Sequence, residues 1–241
     1  MTAPHFFVER LDGAGRVLLS AEDSAHALRS LRLRVGEEVT LSDGNGAVAR
    51  GRLAGEEGGR AAVEVLTITP VERPRPLVSV ALAPPKGDRL AWAVQKLGEL
   101  GVDELVLVPT ERSVRTWGAD RADRVLERQR AVAREAAVQA RTPFVMDVRA
   151  AGSLLDVICQ PRIAAVVLHE DAERPLAESL PDAADSVRIV VGPEGGFAPD
   201  ELALAESASV PLARLGASIL RTETAAVVGA ALVLARYGRL G

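Results

Sequence analysis

Cysteine is nearly absent from this chain of 241 residues: Cys159 stands alone. A single cysteine excludes an internal disulfide and any cysteine-based metal site, and a small buried hydrophobe is the expectation for it. Histidine is almost as sparse, and His5, His26 and His169 are too scattered for a metal-binding spacing, so no metal is expected. No run of about 18 apolar residues occurs, which excludes a membrane-spanning helix. The first residues, Met1-Thr2-Ala3-Pro4-His5, lack the basic-then-apolar layout of a signal peptide. These absences together point to a reduced, cytoplasmic protein. Excess positive charge is missing too: a net charge of −4 argues against a diffuse nucleic-acid binder, so any such affinity must come from local patches. Lysine is confined to Lys86 and Lys96 among 29 basic residues. The arginine that stands in its place suits bidentate phosphate contacts and stacking on bases.

What is present divides into two textures. Residues 1–70 read as a small β-rich unit, in which Val39-Thr40-Leu41 and Ala47-Val48-Ala49 flank Asp43-Gly44-Asn45-Gly46, a hairpin signal. Residues 62–69 alternate and then meet Pro70. One helix interrupts the strands, with Ser20 as its N-cap, Glu22 and Asp23 in the first turn, and an end near Leu31. Residues 71–76, Val-Glu-Arg-Pro-Arg-Pro, form the expected linker, because prolines at alternate positions favour extended backbone. Residues 77–241 alternate strand and helix patterns. Strands are expected over 77–83, 104–108, 144–148, 163–168, 187–191 and 212–215. Helices are expected over 88–100, 119–141, near 154, 199–207 and 222–237. Such alternation predicts an α/β unit with a largely parallel sheet covered on both faces. From Ala225 to Ala235 every residue is small or apolar on all helix faces, so this helix is buried in its own unit or shared with a second copy.

Two segments carry the most specific signal. Gly192-Pro193-Glu194-Gly195-Gly196-Phe197 follows an apolar strand, and Leu215-Gly216-Ala217-Ser218-Ile219-Leu220-Arg221-Thr222-Glu223-Thr224-Ala225 runs from another strand into a helix. Their spacing is that of one strand–helix unit, which would bring both loops to one edge of a parallel sheet. Glycine there lets a ligand approach the backbone with no Cβ in the way. Ordinary βα turns explain glycines, but a turn needs no Glu194, Arg221 or Glu223.

These residues resemble the C-terminal signature of the bacterial uracil-N3 methyltransferases of small-subunit ribosomal RNA, the RsmE-type family of the SPOUT superfamily. His26–Arg34, Lys86-Gly87-Asp88-Arg89, Gln95–Val102 and Thr110-Glu111-Arg112-Ser113 match further blocks in order. Two positions depart from the pattern. Val138-Gln139-Ala140-Arg141 lacks the acidic residue usual in that run, and Ala198 stands where a helix-capping serine is usual. The resemblance implies a small N-terminal PUA-like β-barrel that binds RNA, followed by a SPOUT α/β methyltransferase unit with a trefoil knot. It also implies S-adenosylmethionine as cofactor, 16S ribosomal RNA of the small subunit as substrate, and a homodimer. Two alternatives are a ribose 2′-O-methyltransferase on the same fold and a non-catalytic RNA-binding ribosome-assembly factor.

The implied cofactor cleft comprises Leu168, His169, Gly192, Pro193, Glu194, Gly195, Gly196, Leu215, Gly216, Ile219, Leu220, Thr222, Thr224 and Ala225. Glu170 completes the strand end. Methylation at uracil N3 builds negative charge on O2 and O4, which a planar, always protonated guanidinium stabilises well. Arg221 is the candidate, with a salt bridge to Glu223 or Glu194 as its competing role. Glu223 is the candidate base or orienting carboxylate, although an acid is favoured in any first helical turn. RNA contacts are expected from Arg29, Arg32 and Arg34, the first two on one helix face, and from Lys86, Arg89, Arg112, Arg115 and Arg141.

Overall fold

The computed structural model describes residues 3–11, 13, 15–113 and 119–241, so Arg115 lies outside the described residues. The chain divides into two units, residues up to Arg73 with Ala137–Val145, and Pro74–Ala136 with Met146–Gly241.

In the first unit, five strands are ordered β1-β3-β4-β5-β2: β1 (His5–Phe7), β2 (Gly15–Leu18), β3 (Glu38–Ser42), β4 (Ala47–Glu57) and β5 (Arg60–Pro70). The expected hairpin joins β3 and β4, and Asp43 Oδ1 accepts from the amides of Asn45 (2.8 Å) and Ala47 (3.0 Å), fixing the turn. Along β4, Ala49 and Leu53 are buried while Arg50 and Arg52 face solvent, the period-two pattern of a half-buried strand. Helix α1 (Ala21–Ala25) starts at Ser20, whose Oγ accepts from the Asp23 amide at 3.0 Å, and continues as a π-helical turn over His26–Ser30. Leu31 caps it, and Arg32 terminates it in the left-handed region at φ 53°. Arg29 and Arg32 therefore do not share a helix face, because the turn ends between them. Phe6, Leu19, Leu41, Leu53 and Val63 form this unit's core.

The second unit holds a six-stranded sheet ordered β11-β9-β10-β6-β7-β8, all pairs parallel. Its strands are β6 (Leu77–Leu82), β7 (Glu104–Leu107), β8 (Asp147–Ala150), β9 (Ala164–Leu168), β10 (Ser186–Val191) and β11 (Leu212–Ala213). The helices are α2 (Arg89–Leu100), α3 (Ala119–Ala140, whose last turn from Ala137 belongs to the first unit), α4 (Leu155–Ile158), α5 (Leu176–Ser179), α6 (Pro199–Ser207) and α7 (Thr222–Arg236). Leu90, Ala93, Val94 and Leu97 give α2 its buried stripe, and Gly101 ends it in the left-handed conformation at φ 81°. On α7, Ala226, Ala230, Val233 and Leu234 are buried. The opposite face is open, with Val228 36% and Leu232 45% exposed.

Several expectations shift. The strand expected over 144–148 is β8, Asp147–Ala150. Phe144 instead forms an antiparallel bridge with Asn45, and the Val145 amide donates to Gly44 O at 3.0 Å within the first unit. The apolar run thus satisfies backbone groups of the hairpin before it enters the sheet. Cys159 is exposed, not buried, since it follows α4 while Val157 and Ile158 take the inward positions. Strand β11 stops at Ala213, because the Arg214 amide turns to Arg174 O at 2.9 Å. Ala198 supplies no side-chain cap to α6, but half of a capping box survives: Glu201 Oε2 accepts from the Ala198 amide at 2.8 Å.

Buried charge organises the sheet. Arg188, fully buried in central β10, donates to Glu104 Oε2 (2.7 Å), Ser79 Oγ (3.0 Å), Gln160 Oε1 (2.7 Å) and Val157 O (3.1 Å). Burial lowers its pKa and Glu104 opposes that shift. Arg239 pins the C-terminal segment through Asp103 Oδ2 (2.6 Å) and Pro76 O (2.7 Å).

Candidate functional site

At the carboxyl ends of β9 and β10 the chain leaves the sheet through loops, the usual place for a ligand in an open parallel sheet. A cleft there is lined by Leu168, His169, Glu170, Val191, Gly192, Pro193, Gly196, Phe197, Leu215, Gly216, Ser218, Ile219, Leu220, Thr222 and Ala225. Of the residues expected to hold a cofactor, Glu194, Gly195 and Thr224 belong to the same segments but not to this lining. Gly196 takes φ 70° with nothing within 4 Å of a would-be Cβ, so the turn itself demands glycine. At Gly192 the demand is close approach, since an added Cβ would lie 2.9 Å from the Phe197 ring.

The loop after β11 is chemically open. Among the described residues, none of the amides from Gly216 to Leu220 donates to another protein group. Ile219 is 82% exposed beside them. Backbone donors with no protein acceptor, next to apolar side chains, fit the edge and face of a purine nucleoside. This is the requirement of the adenosyl part of S-adenosylmethionine, which has no phosphate.

Charged groups gather at the start of α2. Arg89 lies 3.6 Å from both Glu194 Oε1 and Glu223 Oε1. Glu194 Oε1 also accepts from the Lys86 amide at 3.3 Å. Glu223 is 7% exposed, and its Oε2 is buried with no partner. Both carboxylates offered as competing partners for Arg221 are thus taken by Arg89. Arg221, the exposed N-cap residue of α7, has no carboxylate partner among the described residues. Arg112 sits against the glycine loop, Nη1 donating to Gly195 O at 3.1 Å. The Glu111 amide donates to Glu201 at 2.9 Å, fixing that turn to α6.

A separate groove of about 910 Å³ lies within the first unit. His5, His26, Arg32, Arg34, Gln139 and Arg141 are among its lining residues, with Asp23, Glu37 and Glu38 on the same walls. Arg29 is not part of it. Val138, where the family pattern has an acid, also lines it. His5 bonds to Thr40 Oγ1 (3.0 Å) and Ser42 Oγ (3.3 Å). Burial, then the Arg141 charge, lowers its pKa. The reading from residues alone missed His5 and His26; an isolated histidine carries no motif.

The geometry agrees with the chain's relatives. The family described as RNA methyltransferase domain matches residues 72–234, and RNA methyltransferase PUA domain matches residues 19–66. The chain is 37% identical over 237 residues to the ribosomal RNA small subunit methyltransferase E of Mycobacterium bovis, covering 95% of this chain and 90% of that one. It is 30% identical to the enzyme of the same name from Bacillus subtilis, covering 91% of each. A crystal structure of a ribosomal RNA small subunit methyltransferase E from Neisseria gonorrhoeae, bound to S-adenosyl methionine, superposes with a TM-score of 0.86 at 27% identity over 97% of this chain and 98% of that one. The first unit is accordingly PUA-like and the second has the SPOUT methyltransferase architecture.

Proposed function

The chain belongs to the RNA methyltransferase family that includes the ribosomal RNA small subunit methyltransferase E enzymes, and we propose that it methylates N3 of a uridine in 16S ribosomal RNA, using S-adenosylmethionine. The observation that carries this reading is the convergence of Leu168–Glu170, Gly192–Phe197 and Leu215–Ala225 on one cleft, where the Gly216–Leu220 amides have no protein acceptor among the described residues. The bound cofactor supplies an electrophilic methyl on its sulfonium. The Gly216–Leu220 amides would hold the adenosyl edge, and Leu168 and Phe197 would shield it from water.

Uracil N3 gives its proton to water, which leaves negative charge on N3, O2 and O4 until the N–CH3 bond forms; the sulfonium S–CH3 bond would break in the same step, leaving a neutral thioether. Arg221, with no carboxylate partner among the described residues and flanked by the cleft residues Leu220 and Thr222, stabilises that charge with its planar fork. Glu223 acts as an orienting carboxylate through Arg89. Alignment of base and methyl contributes much of the acceleration, up to about 7–11 kcal/mol in well-oriented reactions.

The first unit holds RNA through Arg32, Arg34 and Arg141, whose shared groove supports phosphate contacts; Arg29 reinforces them from outside it. The partner protein is a second copy: exposed Val228 and Leu232, one turn apart on α7, form an apolar face that supports dimerisation. A ribosomal substrate makes the setting cytoplasmic. Among the described residues, no helix is long and apolar enough to cross a membrane.

Transfer of labelled methyl to small ribosomal subunits, followed by nucleoside mass spectrometry, tests the reaction. 3-Methyluridine is the expected product. A 2′-O-methylated nucleoside, or RNA binding without transfer, would replace the reading with one of its alternatives.

A further inference from the structure

We infer that Trp92, Lys86 and Arg89 form a receptor for one unpaired nucleotide of the RNA, outside the methyl-donor cleft; the inference rests on the RNA methyltransferase reading. The three residues, with Gly87 and Asp88, border a concavity of about 550 Å³ at the start of α2. Trp92 falls off the helix's buried stripe and is 44% exposed. An indole left in water next to cations is a platform on which any base can stack.

The cations beside it are available. Lys86 is exposed and has no carboxylate within ion-pair distance among the described residues. Arg89 is held at 3.6 Å by Glu194 and Glu223 through Nη1 and Nε, distances too long for hydrogen bonds. Its Nη2 makes no hydrogen bond among the described residues. The guanidinium is therefore oriented while retaining donors for a phosphate or a base carbonyl. Asp88, the carboxylate of this loop, is fully solvated and lies 4.0 Å from Arg128, so it does not neutralise the pair. One unpaired cation, Lys86, and one oriented guanidinium with open donors, Arg89, beside an aromatic face complement a nucleotide better than the apolar face of a second protein copy.

Fluorescence anisotropy with a fluorescein-labelled, uridine-containing single-stranded RNA dodecamer tests the receptor in wild type, Trp92→Ala and Trp92→Phe. The alanine variant should raise the Kd about tenfold, the equivalent of one lost base stack, and phenylalanine should stay within about threefold of wild type. Cofactor affinity by calorimetry should be unchanged in both, and methyl transfer to small subunits should show a raised KM at constant kcat. Wild-type RNA affinity in Trp92→Ala overturns the inference. So does a loss that phenylalanine fails to restore, or one that accompanies conversion of a dimer to monomers in sedimentation. A wild-type protein that transfers no methyl yet shows the same Trp92-dependent binding would overturn the reaction and leave the receptor standing.

Discussion

Two arginines in the α/β unit meet glutamates in opposite ways. Arg188 is sealed in the sheet, with short bonds to Glu104, Ser79, Gln160 and Val157. Arg89 is half exposed, sits 3.6 Å from each of two carboxylates, and leaves Glu223 with an unpaired buried oxygen. A completed network defends a fold, because removing one member strands a charge in low dielectric. An incomplete one holds donors and acceptors ready for something else, at some expense in stability. Satisfaction of hydrogen bonds, more than burial or charge, separates the structural arginine from the functional one.

The largest effect should come from breaking the completed network. Glu104→Gln keeps the shape but removes the charge facing Arg188. Because Glu104 is 24% exposed, the loss should fall near the low end for a broken buried pair, about 3 kcal/mol, or roughly 6–12 °C in Tm. Thermal unfolding checks this, and a shift under about 2 °C would mean the network is dispensable. Next in size, Gly196→Val forces a branched side chain into φ 70° and should weaken cofactor binding at least 100-fold by calorimetry, with a near-native circular-dichroism spectrum. Unchanged affinity would place the cofactor elsewhere. Arg221→Lys should slow single-turnover methylation by one to two orders of magnitude, about 1.4–2.7 kcal/mol, with little change in cofactor affinity.

Smaller effects belong to the first unit. Replacing Arg32, Arg34 and Arg141 with alanine should weaken RNA binding and reduce its salt slope by about 0.7 for each phosphate no longer neutralised. Arg29→Ala alone, outside the groove, should do less; equal losses would erase the distinction between the groove and its surroundings. Smallest is the pH response of His5. Its folded pKa is lowered, so the unfolded chain binds more protons once pH falls below about 6.5. Tm should therefore decline as pH drops from 6.5 toward the lowered folded value, and His5→Asn should flatten that part of the profile.

The parallel sheet was readable because buried strands and amphipathic helices have different periods, and the cleft because glycine and charge recur at two strand ends. What escaped the sequence depends on distant partners. Arg188 looks misplaced in an apolar strand until Glu104, 84 residues away, is seen beside it. Nothing local says that Glu194 and Glu223 both turn to Arg89 rather than to Arg221. Phe144 lies in a strand-like run, yet its backbone bridges a hairpin about a hundred residues earlier. Trp92 carried a legible signal, a large aromatic off the apolar stripe of α2, but stripe patterns direct the eye to the core.

The contrast between the two arginines is tested most directly by Glu223→Gln, measured beside Glu104→Gln for thermal unfolding and single-turnover methylation of small subunits. Glu223→Gln should leave Tm equal to or above wild type, since it neutralises a buried carboxylate with an unpaired oxygen, while lowering the methylation rate at least tenfold. A Tm loss matching that of Glu104→Gln, with a normal rate per folded molecule, would make the Arg89 assembly structural and contradict the account.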